Sequence, residues 1–175
     1  MGDDIDIRLG RPEDLAALEA LYPAAFPDED LLTLVRDLVG ACDGVSSLVA
    51  VRDGVIVGQV AFTRCAVAGG RERIELLAPL AVAPAHQKQG IGSALVREGL
   101  RRLRDAGAAL ALVLGDPAYY GRFGFAPEDR VAPPYPLPAA WAGAWQSLRL
   151  GGGEPALAGV LQVPPYWMRP ALWAP

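Results

Sequence analysis

The sequence predicts one α/β domain with a mixed, mostly antiparallel sheet, and three features carry that expectation. Asp53-Gly54 sits between two apolar runs, the strongest short signal for a hairpin. An amphipathic stretch from Ile91 to Ala106 lies between two further apolar runs, 74–82 and 108–115, as in a strand–helix–strand crossover. The order along the chain is strand-rich first, then alternating strand and helix, then strand again. At 175 residues, 52% apolar and 21% charged, the chain suits one folded domain. A chain of that size buries roughly 70% of its unfolded surface.

Ile5, Ile7 and Leu9 alternate and read as a first strand. Pro12, Glu13 and Asp14 suit a first helical turn, and Leu15, Leu18, Leu21 and Tyr22 follow at helical spacing until Pro23 and Pro27 interrupt. Leu31, Leu34, Val35 and Leu38 mark one face of a second helix, with Gly40 as its C-cap. Residues 47–52 and 55–65 are the two antiparallel strands of the hairpin. In the strand 74–82, Pro79 removes a ladder donor, so a bulge or a local loss of pairing is expected there. Within the next helix, Ile91, Leu95, Val96, Gly99, Leu100 and Leu103 share one side, and Arg97, Glu98, Arg101, Arg104 and Asp105 the other. Gly92 and Gly99 fall on its buried side, where a missing side chain permits close approach. Gly107 ends the helix, and a continuously apolar strand, 109–114, should run parallel to 74–82. In GDPAYYGRFGF, Asp116 is the N-cap, Pro117 the first residue and Gly124 the stop of a short helix. The proline-rich tail from Ala126 holds two more strands, 144–150 and 159–163.

Composition argues against several function classes. A net charge of −4, from 16 basic and 20 acidic residues spread along the chain, argues against a nucleic-acid platform, which usually needs a basic face. No apolar run approaches the about 18 residues of a membrane span. The opening MGDDIDIRLG lacks an apolar signal core, so a bacterial-type cytoplasmic location is expected. His86 is the only histidine, and Cys42 and Cys65 stand in unrelated contexts. No metal site is therefore expected, and both thiols are read as small buried residues.

The chemistry concentrates in AHQKQGIGSAL, residues 85–95, at a strand-to-helix turn. There the first helical N–H groups lack internal partners, and the helix dipole leaves roughly +0.5 charge. Bare backbone at Gly90 and Gly92 lets an anion reach those amides, which is the physics of a phosphate cradle. A P-loop needs Lys-Ser/Thr after its last glycine, but Ile91-Gly92-Ser93 follows instead; the dinucleotide fingerprint GxGxxG fails at Leu95.

The run Leu80-Ala81-Val82, then Pro84, then Gln87-Lys88-Gln89-Gly90-Ile91-Gly92 resembles the acetyl-CoA signature of the GNAT acetyltransferase superfamily: a strand, (Q/R)-x-x-G-x-(G/A), and a helix. Tyr120, followed by Gly124 and Phe125, resembles a second element of that family, and VLGDPAYYGRFGF looks like one branch of small bacterial N-acetyltransferases. The resemblance covers residues 5–125 in element order and is specific in 80–93 and 113–125. It implies a sheet of six to seven strands with a central parallel pair that splays, and helices on both faces. The whole of 1–175 is expected to form a single acetyltransferase domain, with the acetyl-CoA site in 1–125 and strands plus the proline-rich segment in 126–175.

The same resemblance implies direct transfer of acetyl from acetyl-CoA to a primary amine of a small molecule or peptide. No metal, nucleic acid or membrane takes part, and the protein acts as a monomer or homodimer. The amides of Gln87, Lys88, Gln89, Gly90, Ile91, Gly92 and Ser93 would hold the pyrophosphate. The pantetheine arm would pair with Leu80 and Val82 like an added strand. An N–H near Leu80 or Ala81 would polarise the thioester carbonyl, and Tyr120 would protonate the departing thiolate. Glu75 is the candidate base, set against an edge-exposed strand carboxylate, with Glu72 second. The acceptor cleft is expected at the joint of the first two helices, Phe26 to Leu31, together with the C-terminal segment. Asp28, Glu29 and Asp30 there attract a cation or serve the second helix as first-turn acids. Lys88 and Arg122 are each a phosphate partner or a surface charge. His86 is read as a surface residue, and Tyr119 with Phe123 as an i,i+4 core pair. The family's common Asn before its last helix has no counterpart. A non-catalytic acyl-CoA sensor is the alternative, against which the intact Tyr120 speaks.

Overall fold

The computed structural model describes residues 4–151 and 157–174. The first residues of the acidic opening and part of the proline-rich tail lie outside them. Strand β1 (Asp6–Leu9) leads to helices α1 (Leu15–Ala25) and α2 (Leu32–Gly40). The hairpin follows as β2 (Val45–Arg52) and β3 (Val55–Val67), then β4 (Ile74–Val82), α3 (Ile91–Asp105), β5 (Leu110–Leu114) and α4 (Pro117–Tyr120). The remaining chain supplies β6 (Ala126–Pro127), β7 (Val131–Ala132), β8 (Trp145–Arg149) and β9 (Gly159–Gln162). Backbone pairing orders the strands β1-β2-β3-β4-β5-β8-β6, with β9 on β3 and β7 on β9. The pairs β1–β2, β2–β3, β3–β9, β5–β8 and β6–β8 are antiparallel, whereas β4–β5 and β7–β9 are parallel. The expected sheet is present; its strand count rises because the tail adds β6 and β7, of two residues each.

Contacts divide the chain into two compact units whose boundaries fall inside β3, β4 and α3. The first holds Met1–Thr63 and Ala78–Gly99. Its hairpin turn is the Asp-Gly signal realised: Asp53 and Gly54 have φ of 50° and 78°, the pair of positive angles a type I′ turn needs. Helix α1 runs through Pro23 rather than stopping at it. The proline sits in the last turn, where a missing N–H removes one terminal bond only, and Phe26 N–H closes the turn on Tyr22 O at 2.8 Å. On β3, neighbouring residues face opposite ways. A Cβ at Gly58 would lie 3.1–3.3 Å from Leu95, Ile91 and the Ala81 carbonyl, so Gly58 faces α3. Gln59, next along, meets Tyr22 of α1. Helices therefore cover both faces. Gly99 does what its position on the buried side of α3 predicts: a Cβ there would come within 2.3 Å of the Phe62 ring.

The second unit holds Arg64–Leu77 and Leu100–Pro175. Here Ile74, Glu75 and Leu76 of β4 pair in parallel with Leu110, Ala111 and Leu112. The rest of β4 lies outside this ladder; it contains Pro79, which lacks a donor and follows a cis peptide bond. Left-handed Gly107 (φ 80°) ends α3, and Ala108 N–H closes the turn on Leu103 O at 3.0 Å. The tail is packed by indoles: Trp145 Nε1 donates to Val131 O at 2.7 Å and Trp173 Nε1 to Trp167 O at 2.9 Å. The Trp145 and Trp173 rings meet edge-on at 5.8 Å. Cys65 is buried as expected, but Cys42 is exposed, because it lies in the loop after α2 rather than on an element facing the core. No described helix is long and apolar enough to cross a membrane.

Candidate active site

In the first unit, β4 runs into the glycine turn. Ala83 N–H donates to Val57 O at 2.8 Å and anchors the strand end on β3. A single 3-10 turn, Pro84–His86, follows. Gln87 then folds back, its Nε2 donating to Val82 O at 3.0 Å. Lys88 and Gly90 both adopt left-handed backbone, with φ of 60° and 82°. A Cβ at Gly90 would meet nothing within 4 Å, so its backbone conformation, not crowding, selects glycine. Lys88 holds the same conformation with a side chain, at a cost of about 1–2 kcal/mol. Helix α3 begins at Ile91, and its opening turn lacks carbonyls one turn back. Alternating backbone handedness running into a helix N-terminus makes a concavity of N–H groups. Gln87 to Gly92 thus stand together in one bend at the start of α3, with Ser93 buried in the helix behind it. Leu80 and Val82 are half-buried, while Ala81 is buried between them.

Sequence patterns gave no hint of Arg52. From the end of β2 its Nη1 donates to Gln89 Oε1 at 2.7 Å and lies 3.0 Å from His86 Nδ1. His86 is therefore a half-buried partner in the loop rather than a free surface residue.

A cleft of about 370 Å³ lies between α1 and α2, also in the first unit. Tyr22, Phe26, Leu31 and Leu32 form its apolar wall, and exposed Asp28, Glu29 and Asp30 its rim. The Tyr22 and Phe26 rings stack with centroids 6.0 Å apart. Tyr22 belongs to the buried cluster that includes Ala81 of β4, and Phe26 and Ala83 pack against that cluster. Asp30 Oδ1 accepts from Leu32 N–H at 3.3 Å, so this acid also serves the start of α2. A buried polar chain lies behind the cleft: the Tyr22 hydroxyl donates to Gln59 Oε1, and Gln59 Nε2 donates to Ser47 Oγ at 2.9 Å. Burial pushes the Tyr22 phenol well above its usual range. Its sequence signal was a lone polar residue, Gln59, inside VIVGQVAF.

In the second unit, Asp116 caps α4 by accepting from Ala118 N–H at 2.9 Å, and left-handed Gly124 (φ 98°) stops the segment. Tyr120 is half-buried between Tyr119 and Phe125, edge-on to both at 5.0 and 5.8 Å. Burial first, then Tyr119, raises its phenol above the ordinary tyrosine range. Its ring packs against Gly115, where a Cβ would sit 2.4 Å from Tyr120 Cε2. Tyr119 and Phe123 do meet, at 5.5 Å, but both are half-buried rather than core, and Arg122 stacks on Tyr119 at 4.5 Å.

Glu75 is not an edge-exposed carboxylate. It is 1% exposed, because β4 is covered on both faces along Ile74–Leu77. Arg73 Nε lies 2.5 Å from its Oε1 and Arg64 Nε 3.9 Å. Burial raises the carboxyl pKa; the Arg73 hydrogen bond and the two guanidinium charges oppose that rise. Nearby Cys65 is pushed up to about 12, by burial and then by Glu75. Glu72 is exposed.

A family model described as an acetyltransferase (GNAT) domain matches residues 6–127. The chain is 37% identical over 164 residues to the uncharacterized N-acetyltransferase YhbS of Escherichia coli K12, covering 91% of this chain and 95% of that protein. It is 38% identical over 118 residues to the uncharacterized N-acetyltransferase YjhQ of the same strain, a match spanning only 65% of either chain. Among solved structures, E. coli YhbS in complex with CoA superposes with a TM-score of 0.82 at 31% identity, covering 97% of this chain and 96% of that one. A GNAT family acetyltransferase from Brucella melitensis in complex with acetyl-CoA gives 0.76 at 32% identity, covering 95% and 99%.

Proposed function

Because this chain belongs to the GNAT acetyltransferase family, we propose that it moves the acetyl group of acetyl-CoA onto a primary amine by direct attack in a ternary complex, in the cytoplasm. The observation that carries this reading is the left-handed Lys88–Gly90 bend opening α3. A helix N-terminus behind bare backbone suits a diphosphate, and two solved relatives hold CoA and acetyl-CoA. On this reading the amides of Gln87 to Ser93 hold the diphosphate and the backbone of Leu80 and Val82 pairs with the pantetheine arm. An N–H near Leu80 or Ala81 polarises the thioester carbonyl.

The amine nitrogen then attacks the carbonyl carbon. The C–N bond forms, the C–S bond breaks, and the sulfur leaves as thiolate. Tyr120 is the donor to that sulfur. With an ordinary phenol near 10 and a thiol near 8.5, complete proton transfer is uphill by at least about 2 kcal/mol. Burial of Tyr120 widens that gap. Its contribution is thus a strong hydrogen bond to the leaving thiolate, from a phenol that stays protonated at neutral pH.

The amine must attack unprotonated. Freeing an alkylamine of pKa near 10.4 at pH 7 costs about 4.6 kcal/mol, and a peptide α-amine near 7.8 only about 1 kcal/mol. A lysine-like acceptor therefore needs a base. Glu75 is our candidate: burial raises its carboxyl above the ordinary range, against the Arg73 hydrogen bond and the Arg73 and Arg64 charges that lower it. We place the acceptor in the α1–α2 cleft, where an apolar wall takes its carbon body and the acidic rim favours a cation. The test is thiol release from acetyl-CoA across panels of small amines and peptides. Turnover with cationic amines is expected. Failure to bind CoA even at millimolar concentration discards the reading.

A further inference from the structure

We propose that Arg52 is a positioning residue for the coenzyme loop: by holding Gln89 it keeps the Lys88–Gly90 bend in its left-handed form and its N–H groups aimed at one point. The inference rests on the reading of that bend as the diphosphate site. Gln89 lies between the two left-handed residues. Its side chain is fixed at both ends. Oε1 accepts from Arg52 Nη1 at 2.7 Å, and Nε2 donates to Ala85 O at 3.3 Å. The same Nη1 lies 3.0 Å from His86 Nδ1. A guanidinium has donors only, so in this contact His86 Nδ1 is the acceptor. Arg52 thus ties together both sides of the loop, across 34 and 37 residues of chain.

The anchor for this clamp is rigid. Arg52 pairs with Val55 as the last rung of the β2–β3 hairpin, directly before the Asp53-Gly54 turn. Its side chain is half-buried, and its Nε is buried without a partner among the described residues. An arginine on the surface avoids that penalty by turning to water. Here the orphaned N–H is tolerated while the other end of the guanidinium serves the loop. The need for such a tie is local. Lys88 carries a side chain in a backbone region that side chains disfavour. Released, it relaxes toward negative φ and turns the neighbouring N–H groups away.

The experiment is calorimetric titration of the wild type, Arg52→Ala, Gln89→Ala and the double variant with CoA and with dephospho-CoA. Ligand-free thermal unfolding of each is recorded alongside. Arg52→Ala is expected to weaken CoA about 10-fold, the scale of one lost charge-assisted hydrogen bond. Dephospho-CoA should weaken by the same factor, since both ligands carry the diphosphate, and ligand-free unfolding should stay close to that of the wild type. Gln89→Ala, on the exposed loop, should lose a comparable factor, and the double variant no more than the worse single one. Unchanged CoA affinity in Arg52→Ala overturns the proposal. So does a loss seen with CoA but absent with dephospho-CoA, which would mean direct contact with the 3′-phosphate. So do losses that multiply in the double variant, since a charge acting through space owes nothing to Gln89. If the wild type binds neither ligand, the functional reading falls and the clamp with it; wild-type binding with an unaffected Arg52→Ala removes the clamp alone.

Discussion

Replacing Gly115 with alanine should disable Tyr120 without touching its hydroxyl. The added Cβ would lie 2.4 Å from Tyr120 Cε2 and 2.9 Å from Cδ2, whereas ordinary contacts begin at 3.4 Å, so about 1 Å of movement is required. Gly115 cannot supply it: its N–H donates to Ala144 O at 2.9 Å and its carbonyl accepts from Gln146 Nε2 at 3.1 Å. The ring must move, between Tyr119 and Phe125. A 1 Å misplacement of a reacting group costs up to about 10²-fold. Removing a positioned proton donor costs about 10²-fold or more. Gly115→Ala should therefore lower kcat by about 10- to 100-fold, approaching Tyr120→Phe. Overpacking should also destabilise by about 1–3 kcal/mol. The assay is thiol release at saturating acetyl-CoA with the best amine of the panel. The double variant should be no slower than Tyr120→Phe, because both changes act on one hydroxyl. A Gly115→Ala protein that melts earlier but keeps full kcat, or losses that multiply in the double variant, would refute the reasoning.

Glu75→Gln should lower kcat/KM by about 10²-fold with a lysine-like amine and far less with a peptide α-amine; equal losses with both would sink the base role. Burial raises the Glu75 carboxyl in the folded state, so the wild type should gain stability over Glu75→Gln as pH falls from 7 toward about 4.3. Asp14 behaves oppositely. It accepts two 2.8 Å bonds from Arg8 and one from Arg11 N–H, with the Arg8 hydrogen bond the largest cause of its lowered pKa. Asp14→Asn should cost about 1–2 kcal/mol at neutral pH, fading as pH drops below about 3.9, where only the unfolded carboxyl first takes up a proton. Denaturant titration across pH reads both effects; a pH-independent difference contradicts them. Lys88→Gly should raise stability by about 1 kcal/mol by relieving the left-handed side chain, and an unfolding midpoint at or below the wild type's would contradict that.

Much of the fold was legible because local signals agreed. Asp53-Gly54, the apolar side of α3 with Gly99, Gly107 and the Asp116–Gly124 brackets each specify backbone that the structure adopts. The glycine turn was legible for the same reason: glycine marks backbone that a side chain would strain, and Gly90 is left-handed there. What the sequence hid were long-range contacts. The reach of Arg52 to Gln89 leaves no local trace, nor does the seat of Tyr120 on Gly115. The burial of Glu75 was missed because a charged residue in a strand looks like an edge until its covering layers are known. The left-handed Lys88 carries no signature, since lysine is not a residue that favours that conformation.

The most direct trial is amide NMR of isotope-labelled protein titrated with CoA. Saturable binding should shift the backbone amides from Lys88 to Gly92 first and furthest downfield, as hydrogen bonds to the diphosphate form. Saturable binding that leaves those amides unmoved would contradict the cradle, and with it the chemistry built on it.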